Sequence, residues 1–470
     1  MDAVLETSRH AFHELRMRFR GALIQPGEEA YAESRRIWNG AVDRRPALIA
    51  RCVDADDVLA ALRFARDHEL PISVRGSGHG VAGNAVADGA IMIDLSLLKG
   101  VSVDPAARLA RAAAGVTSGE FDLATQRHGL ATTGGTVSHV GISGLTLHGG
   151  FGHLLRRHGL TVDNLRAVDL ITADGRQLHV DVETEPELFW GLRGGGGGNF
   201  GIATAFSYDL HSVGPLVLGG PVYWPLGQAS EVLGFLRDFA PQAPDDLGIM
   251  LVAHRAPPLP FLPPERYGAP TFGLLLTWAG DIAEGRQVLA PLVHVGSPLG
   301  DLVRPVPYRA VQTLLDGAAA PGNGAHWRSV RLPALSDAAI ELFISMADSL
   351  PTPLSFLTGW AISGAASRVA PDATAVGLRD VGFELRIIAM WPPEDSGAGQ
   401  HVSWVNNGWK RLAAYGNGRQ YPTFLTDEGL AGVHSAYRDG WSRLVALKDR
   451  YDPTNIFRLN ANIPPSALSE

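Results

Sequence analysis

The sequence predicts an α+β protein with more than one domain, and three observations support this. The chain has 470 residues, enough for two or three hydrophobic cores. Within residues 75–201, short strand-like runs alternate with helical segments and with three glycine-rich tracts. After about residue 212 the glycine tracts end, and tryptophan and proline become more common. We therefore expect a first unit that carries the chemistry and a second unit of different composition.

Charge and hydropathy exclude several classes of function. The formal net charge is −8, and no run of lysine and arginine marks a nucleic-acid or lipid surface. No apolar stretch approaches the ~20 residues of a membrane span, and the charged N-terminus lacks the apolar core of a signal peptide. We expect a cytoplasmic protein whose partner is a small molecule, with neither nucleic acid nor membrane as a partner.

Metal and disulfide chemistry is not expected. Cys52 is the only cysteine, which excludes an intrachain disulfide and an all-cysteine metal site. His10, His13 and Glu14 are in the wrong order for a zinc-protease motif, so this segment is interpreted as an amphipathic helix.

The first unit begins with a helix that Asp54 can cap and in which Val58, Leu62 and Ala65 form one apolar face. A strand at residues 71–74 then leads into the glycine loop RGSGHG, residues 75–80, and a second strand follows at 90–94. Glycines allow backbone N–H groups to approach an anion closely, as in phosphate-binding loops. The loop is therefore a candidate phosphate site, with His79 at its centre.

Residues 78–83 also match the G-x-G-x-x-G pattern of nicotinamide dinucleotide sites. That fingerprint requires a helix to begin at its last glycines, whereas residues 84–89 (NAVADG) are short and rich in turn formers. The order of strand, loop, turn and strand argues against this class of site.

The rest of the first unit repeats the combination of strands and glycine. A strand at 108–115, a helix at 120–127 and a second tract at 134–152 come first, followed by a hairpin of strands 167–172 and 177–180. The third tract contains five consecutive glycines, 194–198, and ends near Thr204. Three such tracts indicate a long ligand bound in an extended form.

The second unit contains a strand at residues 383–391 with one apolar face and one face that carries Glu384 and Arg386. That polar face could line a substrate cavity. A single helix is expected near residues 430–450, followed by the tail 455–465.

Together these motifs resemble the FAD-linked oxidases of the vanillyl-alcohol oxidase and p-cresol methylhydroxylase type, in their berberine-bridge-enzyme-like branch. The resemblance extends over nearly the whole chain. Its marks are residues 36–40 with 44–46, 75–83, 135–152, 163–164, 188–190 with 193–204, and 451–457. It implies an α+β fold with a two-part FAD-binding domain (1–212), a substrate domain with a helix-covered antiparallel sheet (213–408), and a C-terminal segment (409–470) that returns to the FAD domain.

The resemblance also implies how FAD is held. His79 corresponds to the histidine that bonds to the 8α-methyl group of the flavin. Many relatives have a second bond from a cysteine, but Val137 stands at that position here, so a single covalent link is expected. The other residues expected to contact FAD are Arg75, Gly76, Ser77, Gly78, Gly80, Asn84, Gly135, Ser138, His139, Val140, Gly141, Gly144, Gly201, Ile202, Asn460 and Asn462.

The implied reaction is oxidation of a C–H bond beside oxygen or nitrogen, with hydride transfer to flavin N5 and reduction of O2 to H2O2. The candidate bases are Tyr421 and the strand residues Glu384 and Arg386, although Tyr421 could equally pack under the flavin. His148 could contact the flavin or pack its loop. The missing second cysteine favours an aromatic, alkaloid or polyketide-type substrate. The alternatives are a carbohydrate or alcohol oxidase, a dehydrogenase with another electron acceptor, and a flavoprotein that only sequesters a ligand.

Overall fold

The computed structural model describes residues 2–258, 262–377, 379–426 and 428–468. In this part of the chain the strands form four sheets, and the chain also contains many helices. This confirms the α+β class.

The first sheet holds the loop that contains His79. Its strands are ordered β1-β2-β4-β3, with β1 antiparallel to β2 and the other neighbours parallel. The predicted capped helix is confirmed, because the Asp54 side chain accepts a hydrogen bond from the backbone N–H of Asp57. The elements are β1 (Ala22–Ile24), β2 (Leu48–Arg51), β3 (Ile72–Arg75), β4 (Ile91–Asp94), α1 (Asp2–Arg18), α2 (Tyr31–Ser34) and α3 (Ala55–Asp67).

The second sheet is antiparallel and has the order β5-β6-β10-β8-β9, while β7 and β11 form a separate pair. The predicted hairpin is confirmed, with Ile171 opposite Gln177. The elements are β5 (Val101–Asp104), β6 (Leu109–Ala113), β7 (Leu130–Ala131), β8 (Leu165–Ile171), β9 (Gln177–Val180), β10 (Ile202–Asp209), β11 (His211–Ser212), α4 (Ser118–Gln126), α5 (Ile142–Leu147), α6 (Leu155–His158) and α7 (Pro186–Leu192).

The third sheet is the largest and is also antiparallel, ordered β15-β12-β14-β13-β18-β19-β17, with β16 paired to β12. Its strands are β12 (Leu216–Pro225), β13 (Leu247–Arg255), β14 (Pro270–Trp278), β15 (Gly300–Asp301), β16 (Arg304–Pro307), β17 (Gly324–Leu332), β18 (Phe356–Ile362) and β19 (Gly382–Trp391). The helices of this unit are α8 (Ala229–Phe239), α9 (Ile282–Val293), α10 (Tyr308–Gln312), α11 (Asp337–Asp348), α12 (Ala365–Arg368) and α13 (Ala398–Ala413).

The two faces of β19 have different neighbours, as its alternating pattern predicts. Leu385 and Ile387 lie in a hydrophobic cluster with residues of α8, α11 and α13. Ile388 and Met390, on the other face, cluster with residues of the glycine-rich unit. The large sheet therefore has one face covered by helices and one face turned toward the glycine tracts.

The C-terminal segment packs against the first two sheets, because Val433, Leu444 and Phe457 belong to the same core cluster as their strands. The prediction of a single helix at 430–450 is wrong. The chain forms α14 (Gly429–Tyr437) and α15 (Trp441–Tyr451), separated by a 3-10 turn at Arg438–Gly440. The turn coincides with a close approach of Gly440 to the indole ring of Trp190.

The predicted boundary at residue 212 lies between β11 and β12, and the one at 408 lies within α13, which packs on β17 and β19. Within the described ranges, no helix is both long and apolar enough to cross a bilayer.

Candidate active site

His79 lies between two aromatic rings in the loop after β3. The indole of Trp38 stacks on its imidazole with ring centroids 4.7 Å apart and an angle of 19° between the planes. Nε2 of His79 is 2.9 Å from Nδ1 of His139. The loop reaches this position through Gly78, whose φ of +73° favours glycine and whose carbonyl accepts a hydrogen bond from the Trp38 N–H.

The electrostatic surroundings keep His79 neutral. Burial, followed by the neighbouring His139, lowers the pKa of His79 to about 3. A histidine with such a pKa carries no charge near neutral pH, and a neutral imidazole has a lone pair for nucleophilic attack.

The second glycine tract packs tightly against this loop. The backbone N–H of Gly141 donates to Oγ of Ser77 at 2.8 Å, and a Cβ at residue 141 would itself lie 2.8 Å from that oxygen. The second unit also holds the tract, because the Asp316 carboxylate accepts hydrogen bonds from N (2.7 Å) and Oγ (2.6 Å) of Ser138. The glycine loops are therefore joined to each other and to the second unit.

The C-terminal tail contacts the third tract, which explains the role of Asn460. Nδ2 of Asn460 donates to the Gly198 carbonyl at 2.8 Å, and the N–H of Ile463 donates to Oδ1 of Asn199 at 3.0 Å. Behind them, Lys448 and Asp452 form a fully buried ion pair with N···O 2.7 Å. Lys448 also donates to the Asn199 carbonyl at 3.0 Å, so the pair joins the tail to the tract.

A cavity of about 330 Å³ lies where the tracts and the large sheet meet, a size typical of small-molecule sites. Of the residues predicted to bind FAD, it brings together Gly76, Ser77, Gly78, His79, Gly80, Asn84, Gly135, Val140, Gly141, Gly144, Gly201, Ile202 and Asn460. Four others do not line it. Arg75 donates to the Ser34 carbonyl, and Ser138 donates to Asp316. His139 contacts His79 but does not line the cavity, and Asn462 borders a neighbouring groove.

The lining of this cavity fits FAD. A Cβ added at Gly80 or Gly144 would meet no atom within 4 Å, so both glycines leave open space on the cavity wall, where a side chain would compete with a cofactor. Oδ1 of Asn460 is buried and has no hydrogen-bond partner among the residues described, and FAD offers donors for such an acceptor. Among the described residues, no group of three or more histidine, cysteine, aspartate or glutamate side chains is placed so that it could hold a metal ion.

His148 both packs and lines the cavity. Its Nδ1 lies 2.7 Å from the Gly144 carbonyl, and its Nε2 accepts from the Gly197 N–H at 3.4 Å. It thus bridges the second and third tracts. Burial lowers its pKa, opposed by the hydrogen bond to Gly144.

Two of the three candidate bases line the cavity. Arg386 reaches it from β19 of the large sheet and Tyr421 from the C-terminal segment, whereas Glu384, also on β19, is fully buried and does not line it. Oη of Tyr421 accepts from the Gly150 N–H at 3.0 Å. Burial raises the pKa of Tyr421, opposed by the Gly150 hydrogen bond and by Arg386. Burial also raises the pKa of Glu384.

Sequence reasoning missed several residues that shape the site. Trp38 belongs to the motif at 36–40, so a signal was present, but its stacking on His79 was not inferred. Asp316, Trp327 and Phe424 reach the site from other elements, and no local pattern in the sequence indicates this.

Comparison with known proteins agrees with this geometry. A family profile described as "FAD binding domain" matches residues 46–181, and one described as "Berberine and berberine like" matches residues 426–464. The uncharacterized FAD-linked oxidoreductase YgaK of Bacillus subtilis is 30% identical over 95% of this chain and 97% of its own length.

Two further matches involve a nicotine oxidase. The (R)-6-hydroxynicotine oxidase of Paenarthrobacter nicotinovorans is 30% identical, over 95% of this chain and 97% of that protein. The crystal structure of 6-hydroxy-D-nicotine oxidase from Arthrobacter nicotinovorans superposes with a TM-score of 0.86 at 27% identity, covering 95% of this chain and 98% of the other. The glycine cradle, the berberine-type tail that closes it and these full-length relatives lead to one conclusion: this chain belongs to the berberine-bridge-enzyme-like family of FAD-dependent oxidoreductases.

Proposed function

We propose that this protein is an oxidase whose FAD is bonded covalently to His79 alone, and that it oxidises a C–H group beside oxygen or nitrogen in a small organic molecule. The observation that carries the proposal is the placement of a neutral His79 on the cavity wall, with Trp38 on its face and His139 at its Nε2. Cys52 is buried in the hydrophobic core formed with the first sheets and does not line the cavity, which supports a single link.

Bound FAD would supply the hydride acceptor at N5 and return the two electrons to O2 as H2O2. The chain must supply a group that takes the substrate's proton. Tyr421 is the better candidate because it lines the cavity, whereas Glu384 is fully buried and does not line it. Arg386 stays protonated in proteins and so is no base, but its charge favours the ionised form of Tyr421.

The cavity wall favours an apolar, flat substrate. Its lining includes Met250 and four aromatic side chains, those of Phe151, Trp327, Phe356 and Phe424. Aromatic walls favour aromatic ligands through stacked and edge contacts. The named activity of the nicotine oxidase relative agrees with a heteroaromatic or alkaloid-type alcohol or amine, in preference to a carbohydrate.

The test is a screen of aromatic and aliphatic alcohols, amines and sugars with the purified holoenzyme. We expect an aromatic compound to bleach the flavin anaerobically and, in air, to consume O2 and release H2O2 in equal amounts. Bleaching without O2 uptake would indicate a dehydrogenase, and tight binding without bleaching would indicate a sequestering protein. Preferential turnover of sugars would overturn the proposed substrate class.

A further inference from the structure

Arg386 has an unusual position in the cavity. Among the described residues that line it, Arg386 is the only arginine, and no lysine, aspartate or glutamate joins it there. The other lining side chains are glycine, aliphatic, aromatic or neutral polar groups. The wall of the site thus carries one positive charge and no negative charge.

Aromatic rings surround this guanidinium without satisfying its hydrogen-bond donors. Its Cζ lies 4.9 Å from the ring centroid of Phe424, 5.6 Å from Phe151 and 5.9 Å from Tyr421. Such contacts stabilise the charge through the ring faces. They do not, however, provide oxygen or nitrogen acceptors for the N–H groups in the plane of the guanidinium. Nε of Arg386 is buried with no hydrogen-bond partner among the described residues.

The charges behind the cavity wall do not balance this cation. Glu384 on β19 and Arg331 on β17 are register partners, and both side chains are almost completely buried. The carboxylate of Glu384 acts electrostatically on both Arg331 and Arg386, but neither of its oxygens has a hydrogen-bond partner among the described residues. Among the described residues, two guanidinium groups thus lie near one buried carboxylate, and Arg386 is the member of this cluster that lines the cavity.

An uncompensated buried cation is costly unless a ligand supplies the opposite charge. The guanidinium fork matches the two oxygens of a carboxylate, with which it forms paired charge-assisted hydrogen bonds. We propose that the substrate of this enzyme is an aromatic or similarly apolar molecule bearing a carboxylate, and that Arg386 binds that carboxylate. This rests on the proposed function and narrows its substrate class.

The experiment measures binding of matched probes to the holoenzyme by isothermal titration and by perturbation of the flavin spectrum. The probes are benzoate, phenylacetate and 2-naphthoate, each paired with its carboxamide, which has nearly the same shape but no charge. At least one carboxylate is expected to bind about tenfold to a hundredfold more tightly than its amide, as two charge-assisted hydrogen bonds imply. Arg386→Met should abolish that preference, and Arg386→Lys should retain part of it. Arg443→Met is the control, because Arg443 stacks on Trp190 with Cζ 3.9 Å from the ring centroid but does not line the cavity.

Equal affinities for every acid and its amide in the wild-type protein would overturn the inference, whether or not the variants fold. A second result would also overturn the inference: Arg386→Met shifts the flavin reduction potential but leaves the ratio of acid to amide affinity unchanged. The charge of Arg386 would then act on FAD and not on the substrate. A preparation that carries flavin but shows no acid preference contradicts this inference alone. A preparation without flavin contradicts the proposed function, and titration of the same probe pairs still decides whether Arg386 selects carboxylates.

Discussion

Nε2 of His79 lies 2.9 Å from Nδ1 of His139, so the nitrogen of one imidazole is paired directly with that of another. If His139 accepts the Nε2 proton, the lone pair on Nδ1 of His79 is free to form a bond. In the proposed link, the first loop would supply the nucleophile, and the second tract would supply the group that sets its tautomer.

His139→Phe is therefore expected to slow formation of the covalent flavin link by on the order of a hundredfold, the contribution of a positioned acid or base. His139→Gln, whose amide oxygen can accept the proton, should be less affected. The measurement is the time course of protein-bound flavin fluorescence on a denaturing gel after apoprotein is mixed with FAD. Equal rates in wild type and His139→Phe would show that His139 only packs.

Replacing the hydroxyl of Tyr421 tests the base. Tyr421→Phe should lower the rate of anaerobic flavin reduction by about 10²-fold or more, with flavin content unchanged. Tyr451→Phe is the matched control, because its hydroxyl bonds Glu185 at 2.8 Å and does not line the cavity. A Tyr421→Phe variant that reduces its flavin at the wild-type rate would leave Tyr421 with a packing role.

The buried pair Lys448 and Asp452 is expected to be important for stability. Lys448→Met leaves a buried carboxylate without its partner and should destabilise the protein by about 3–5 kcal/mol, loosening the tail that contacts the third glycine tract. The exposed pair Arg166 and Asp209 provides the control, since Arg166→Met should cost less than about 1 kcal/mol. Urea unfolding followed by tryptophan fluorescence measures both. Similar losses in the two variants would contradict this role.

Asp122 gives a prediction for pH dependence. Burial raises its pKa to about 7, opposed by the Gln312 amide, which donates to it at 3.0 Å. In the unfolded chain an aspartate titrates near ~4, so the stability that the protonated form gives is present below that pH and is lost as the pH rises through 7.

Asp122→Asn removes this titration, and its amide can also donate to Oε1 of Gln312, which has no partner among the described residues. The thermal midpoint of the variant should exceed that of the wild type at pH 8, and by less at pH 5. A difference that is the same at both values, or larger at pH 5, would contradict the assignment.

Local chemistry explains which parts of this structure the sequence predicts. The capped helix, the loop after β3 and the hairpin at 165–180 are short-range patterns, in which a cap, a glycine or an alternation acts on its neighbours. The break between α14 and α15 coincides with the contact of Gly440 with Trp190, some 250 residues away, and no local pattern indicates that contact. The same holds for Asp316, which joins the second glycine tract from the second unit. The motifs thus locate the glycine loops, whereas the parts of the cavity that the second unit contributes depend on tertiary contacts.

The central claim is the bond between His79 and FAD, and denaturation tests it most directly. Wild-type protein and His79→Ala are each precipitated with acid, washed and digested, and the flavin in the peptides is measured by fluorescence and mass spectrometry. We expect the wild-type precipitate to stay yellow, with flavin on the single peptide that contains His79, and the His79→Ala precipitate to be colourless. A colourless wild-type precipitate, or flavin on any other peptide, would contradict the account.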